Sequence, residues 1–262
     1  MGNTAVGLNN LVKTGALTAG SSATNMPVTN LQMDGGAPSQ AWQTAATILT
    51  AAAGANFRVT PTARQLWRLF GLFKTNLTQG ASVTFTLYLN PSTVVWTGTV
   101  TGPAPGYGQV VAVAPSDMQA DYCIVNINDT ANPDGFINVP LCYAGPGWLP
   151  ALGFTWGSTF GRDSVADEMI SRGGQEYPTY RYQQRRWEAA FDAISDAELW
   201  TSAQELDRVS RYGGNILFVP DYASPTMAQE AVFGRVASTA DVSYIAGFAN
   251  RRVWRFRVKE RL

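Results

Sequence analysis

The sequence predicts a mainly β protein of two domains, on three observations. Apolar and polar residues alternate with a period of two in several stretches, as from Val83 to Leu89. Thr, Asn, Gly and Ser fill the connections, which is turn chemistry. Charge falls into two regimes: ten charged side chains and no glutamate in the first 150 residues, against 28 in the last 112. The Gly/Pro-rich stretch from Gly145 to Pro150 marks the expected seam. It gives domains over residues 1–147 and 148–262, each large enough to bury a core.

In the first domain, Ala45 to Ala55 is the only helical candidate, and its threonines weaken it. Trp67 to Phe73 is a dense apolar run, as expected of a strand buried on both faces. Val83, Phe85, Leu87 and Leu89 alternate with Thr84, Thr86 and Tyr88, and Thr93 to Val100 is rich in β-branched residues. Cys123, Val125 and Ile127 share one strand face; Ile137, Val139 and Leu141 share the next. The turn chemistry of Asp129 to Gly135 between them predicts a hairpin pairing Val125 with Val139 and Cys123 with Leu141. Cys142 then points to the opposite face, so the two cysteines are expected as free, structural thiols.

In the second domain, Trp187, Ala189 and Phe191 alternate with Arg186, Glu188 and Asp192, a strand pattern. Ser195 and Glu198 form a capping box, and Leu199, Trp200, Ala203, Leu206 and Val209 follow at helical spacing up to Gly213 and Gly214. Asn215 to Val219, Ala231 to Val236 and the Trp254, Phe256, Val258 alternation complete the strands. This pattern predicts a small β-sandwich or sheet with one packed helix.

Composition excludes several function classes. The 262 residues carry 15% charged side chains, where about 25% is usual, and the net charge is zero. A general nucleic-acid binder needs a basic face, so no specific nucleic acid is expected. Histidine is absent, which removes Ser-His-Asp and Cys-His catalysis and His-ligated zinc. No apolar run approaches the ~20 residues of a membrane-spanning helix. The first residues lack the pattern of a signal peptide, and folding in a reducing cytoplasm is expected.

No cofactor or metal is expected. Asp129, Asn132 and Asp134 offer three oxygens, whereas a calcium site takes about six to eight. Asp163, Asp167 and Glu168 form the closest acidic cluster, expected in a solvated loop, and no catalytic residue is assigned. Trp42, Trp96 and Tyr107 lie near expected loops, where aromatic faces can stack on sugar rings; core packing is the competing reading. Arg185, Arg186, Arg251, Arg252, Arg255 and Arg257 stand on two expected strands and are candidates for subunit contacts through carboxylates.

Two resemblances follow. The segment from Trp67 to Leu77 and the strand from Ala81 to Leu89 resemble galactose-binding-like, discoidin-type β-sandwiches of jelly-roll kind. The stretch from Tyr122 to Gly147 looks like the end of such domains in tailed-phage structural proteins. The strand at Arg185, Arg186 and Trp187, the capped helix, the strand at Asn215 and the basic final strand are similar in layout to phage distal tail and tail-tube-like proteins. The resemblance implies a non-enzymatic virion protein, assembled in the host cytoplasm. It would form a homo-oligomeric ring with other tail proteins at the tail tip and baseplate, with host-surface glycan contact by the sandwich. The alternative is a monomeric carbohydrate-binding module.

Overall fold

The computed structural model describes residues 3–155, 157–239, 241–244 and 250–261. In chain order the strands are β1 (Ala5–Gly7), β2 (Ala16–Ala19), β3 (Trp42–Gln43), β4 (Asn56–Thr60), β5 (Gln65–Phe73), β6 (Ser82–Leu89), β7 (Thr93–Thr101) and β8 (Val110–Ala120). There follow β9 (Tyr122–Asn128), β10 (Asn138–Val139), β11 (Leu141–Gly145), β12 (Thr159–Ile170), β13 (Glu176–Ser195), β14 (Asn215–Val219), β15 (Val232–Thr239), β16 (Ser243–Tyr244) and β17 (Arg251–Glu260). The chain is mainly β, as its alternation predicts. No described helix is long and apolar enough to cross a membrane.

Two compact units result. The first takes residues 3–150 and also Ile216–Ala231; the second takes residues 151–215 and 232–261. The expected division at 147/148 is contiguous and differs from these units in the segment Ile216–Ala231. That segment sits on the first unit because β14 pairs antiparallel with β1, Ala5 opposite Val219. Thr4 Oγ1 donates to the Pro220 carbonyl at 3.0 Å, and Gln109 Nε2 donates to the Ala231 carbonyl at 3.1 Å. A strand as short as β1 carries a weak sequence signal, and its partner lies more than 200 residues away.

The first unit is a β-sandwich. One antiparallel sheet has the order β2-β4-β9-β6-β7, the facing one β11-β5-β8, and β10 pairs with β3. The alternation along β6 puts Val83, Phe85 and Leu87 inside, at 1% exposure or less. Seven successive residues of β5, Trp67 to Phe73, are buried, as the dense apolar run predicts, and Arg68 is buried among them. Phe70 forms the centre of the core, with ring centroids 6.3 Å from Trp67, 5.4 Å from Phe85 and 5.0 Å from Trp96. Fully burying one such side chain is worth about 1.5–3 kcal/mol.

The expected hairpin is not formed. β9 pairs with β4 and β6, while β10 pairs with β3 and β11 with β5. The residues between β9 and β10 cross from one sheet to the other, so the two apolar faces meet across the core and are not neighbours in one sheet. Cys123 and Cys142 are both free, and both point into that core. Burial pushes both thiols above their ordinary range. The expected helix over Ala45 to Ala55 reduces to one 3₁₀ turn, Ala51–Ala53, capped by Thr50. A run of small residues has no wide apolar stripe to bury, so little fixes a longer helix there.

The second unit holds an antiparallel sheet with the order β15-β17-β13-β12, and β16 pairs with β17. Trp187, Ala189 and Phe191 of β13 and Trp254, Phe256 and Val258 of β17 fill its buried face. Ser195 caps the helical stretch over 196–211 through the expected box: its Oγ accepts from the Glu198 N–H, and the Glu198 carboxylate accepts from the Ser195 N–H. Leu199, Ala203 and Leu206 are the buried residues of that stretch. Its middle, Leu199–Ala203, is wound as a π-helix.

Candidate functional site

A cleft of the first unit lies among its loops, a hollow of about 430 Å³. Its lining includes Pro38, Gln43, Lys74, Asn76, Asp134, Phe136 and Asn138. Each comes from a loop or strand end fixed by a specific bond. β5 ends at Phe73, and Lys74 turns the chain with a left-handed φ of 58°. That conformation costs a non-glycine residue on the order of 1 kcal/mol and has to be held by its surroundings. Thr75 supplies the hold: its N–H and its Oγ1 both donate to the Gly108 carbonyl, each at 2.8 Å. Gly108 has φ 56°, and a Cβ there would run into the Thr75 carbonyl.

Asn76 ties the walls together. Its Nδ2 donates to Asp134 Oδ2 at 2.8 Å and to the Phe136 carbonyl at 2.9 Å, and its Oδ1 accepts from the Asn138 N–H at 2.8 Å. The loop from Asp129 to Gly135 is braced from below. The buried Asp129 carboxylate accepts from the Thr78 N–H at 2.8 Å, from Thr78 Oγ1 at 2.5 Å and from Asn132 Nδ2 at 3.0 Å. These bonds leave Asp134 exposed at the rim and Phe136 half-buried beside it. The cleft thus presents a carboxylate, an ammonium, amides and one aromatic side chain on a rigid frame. Such a set can bind a ligand that both donates and accepts hydrogen bonds and has an apolar face.

The three sugar-contact candidates fare differently. Trp42 is fully buried, its ring centroid 5.0 Å from that of Phe57 in an edge-on arrangement. Its indole N–H donates to the Ser21 carbonyl at 3.0 Å and to Ser22 Oγ at 3.2 Å, so the side chain is core and offers no face to a ligand. Trp96, half-buried on β7, stacks on Phe70 of the facing sheet and lies over the Gly98 backbone. Tyr107 is half-buried in the turn closed by the bond from its N–H to the Ala104 carbonyl at 3.1 Å. None of the three lines the loop cleft.

The arginines of the second unit also separate. Arg185 is buried and bound at two points to Glu260, with Nε to Oε2 at 2.9 Å, so it faces the core and is withdrawn as a subunit contact. Arg251 donates to the Ala193 carbonyl at 2.9 Å, and Arg252 pairs with Asp196 at 3.2 Å. Arg186 pairs with Asp163, and Arg257 pairs with Asp163 at 3.3 Å and Glu188 at 3.6 Å. Arg255 is exposed.

The acidic cluster expected in a loop stands on β12 instead. Asp163 gathers three cations, including Lys259 at 2.7 Å, and the hydrogen bond from Lys259, with the charges of Arg186 and Arg257, holds its carboxyl below the usual range. Asp167 pairs with Arg181. Asp163 and Asp167 share one strand face and Glu168 the other, so the three do not converge. Among the described residues no group of three or more Cys, Asp or Glu side chains could hold a metal ion.

No family model matches the chain, and no curated relative does. Solved structures do. The lectin domain of Lectinolysin complexed with Lewis B antigen shares 11% identity over 52% of this chain and 95% of its own, with a TM-score of 0.42. A fucose-binding module of Streptococcus pneumoniae shares 13% over 52% and 94%, at 0.41. The family 32 carbohydrate-binding module of C. perfringens NanJ, in complex with galactose, shares 13% over 53% and 98%, at 0.39. All three are sugar-binding domains, and none is a phage tail protein.

Proposed function

We propose that this is a non-catalytic recognition protein whose first unit binds a carbohydrate in the loop cleft. The observation that carries the reading is the cleft itself: Lys74, Gln43 and Asp134 offer donors and acceptors around a half-buried phenyl ring, on loops locked from behind by Asp129 and Thr75. Sugars present hydroxyls that both donate and accept, and C–H edges that suit an aromatic side chain. Lys74 and Asp134 are the residues to test, because Asn76 and Asn138 also brace the loops. A glycan array followed by calorimetry is expected to find a ligand whose affinity falls about tenfold or more in Lys74→Ala and in Asp134→Ala, the loss of one charged hydrogen bond. No glycan bound by the wild type, or unchanged affinity in both variants, removes the reading.

A second reading is favoured by a different observation. In the second unit β12 and β13 extend as a long exposed ribbon, the kind of element that finds its partner in an assembly. On this reading the chain is a virion protein present in several copies at the tail tip of a tailed phage. Antibody labelling of purified particles tests it: label at the distal tail is expected, and its absence there counts against the reading.

A further inference from the structure

The ribbon bears two faces of different character. β17 pairs β13 only from Arg186 to Ser195, so toward the tip the two strands have no third neighbour among the described residues. A two-stranded ribbon is marginal alone in water. This one exposes Met169 (73%), Ile170 (68%), Tyr177 (52%) and Tyr180 (66%). Its outer edge is guarded against strand addition by charges along β12, Arg162, Asp163, Asp167 and Glu168, so a partner meets a face of the ribbon and not its edge.

Residues opposite each other on antiparallel strands share a face. The register shifts between Val165 and Ala166, opposite Tyr182 and Tyr180, which leaves Arg181 as the extra residue and re-aims the strand beyond it. On one side Asp167 is neutralised by Arg181. On the other stand the pairs Ala166 with Tyr180, Glu168 with Pro178 and Ile170 with Glu176. Between the register shift and the tip that side carries two carboxylates with an apolar surface between them, and Arg162 stands on the same side of β12 beyond the shift.

The open face of the sheet is its opposite in charge. Lys259 lies across from both Arg186 and Arg235, and Arg257 across from both Glu188 and Ser238. With Arg255 this makes five cations against the carboxylates of Asp163, Glu188 and Asp192. Asp163 is taken up by Lys259, Arg186 and Arg257. Arg235 and Arg255 are exposed, and each borders a shallow hollow, of about 370 and 210 Å³ respectively. The ribbon's own acidic side cannot fold back on this surface. Glu176 is ten residues along β13 from Arg186, about 33 Å at the rise of an extended strand.

We propose that the Glu168 and Glu176 side of the ribbon docks on the basic sheet face of a second copy of this chain. The contact is heterologous, so repeating it closes a ring or runs into a filament. The proposal is independent of sugar binding and gives the second reading a specific contact; the particle label tests that reading separately.

Sedimentation velocity of the full chain is the test, with two double variants at exposed positions, Glu168→Arg/Glu176→Arg and Arg235→Glu/Arg255→Glu, each checked for folding by circular dichroism. The wild type is expected to associate, less so as salt rises. Each variant alone is expected to lose at least about tenfold in association, since like charges then oppose each other. An equal mixture is expected to regain it, because each variant's ribbon then meets a face of opposite sign. A wild type that stays monomeric at every concentration overturns the proposal, as does association that neither reversal weakens. A monomer whose basic face instead binds heparin also overturns it, in favour of a polyanion at that site.

Discussion

Trp42→Ala is expected to lower the stability of the first unit by about 3–5 kcal/mol, the range for removing a large, fully buried aromatic side chain. The ring has no exposed area and packs edge-on to Phe57. Its removal opens a cavity in a core that includes Leu31, Phe57 and Val139, and it strips the Ser21 carbonyl of its indole donor. The denaturant midpoint should therefore drop while the slope of the transition stays constant. Under conditions where the variant is still folded, affinity for a bound sugar should match the wild type, since Trp42 does not line the cleft. A variant of native stability that loses sugar binding would contradict the packing account and return Trp42 to the list of ligand contacts.

Arg185→Ala is expected to cost the second unit about 3–5 kcal/mol, because it leaves the Glu260 carboxylate without its partner in a largely buried site. The Arg185 side chain is 3% exposed and that of Glu260 18%. Two of the guanidinium's donors go to the two carboxylate oxygens, so the pair fixes β13 against β17 at one register. Replacing both residues together, Arg185→Met with Glu260→Leu, should recover most of the loss, since no uncompensated charge then remains. Arg255→Ala, at an exposed position, should stay within about 0.5 kcal/mol of the wild type. Thermal or chemical unfolding of the three variants separates these outcomes. If Arg185→Ala is as mild as Arg255→Ala, the buried pair does not hold the sheet together.

The contrast between Arg185 and Arg186 shows where sequence reading stops. The two neighbours look equivalent in the chain, yet strand alternation turns the first toward the core and Glu260 and the second toward Asp163 and solvent. The alternation itself was readable; which side was core was not, since that depends on what covers each face. The ribbon was hidden for a similar reason. Asp163, Asp167, Glu168 and Pro178 are unfavourable for a buried strand, but a ribbon open to solvent on both faces tolerates all four. The loop cleft left no signature either. Lys74 and Asn76 lie on one segment and Asp134 and Asn138 on another, and the left-handed turn at Lys74 is set by Thr75 and Gly108, not by any residue preference.

What the sequence determined by itself is local: strands that alternate, the Ser195–Glu198 cap, the continuous burial of Trp67 to Phe73, and the absence of imidazole chemistry. These follow from backbone period and side-chain type within a few residues. The tertiary structure decided what sits beside what. It sent β9 and β11 into facing sheets instead of one hairpin, brought β14 back to β1, and enclosed Trp42 while leaving Phe136 at a rim. Partner choice depends on burying the greatest apolar area at once with every backbone donor satisfied, a condition on the whole chain that no short window contains.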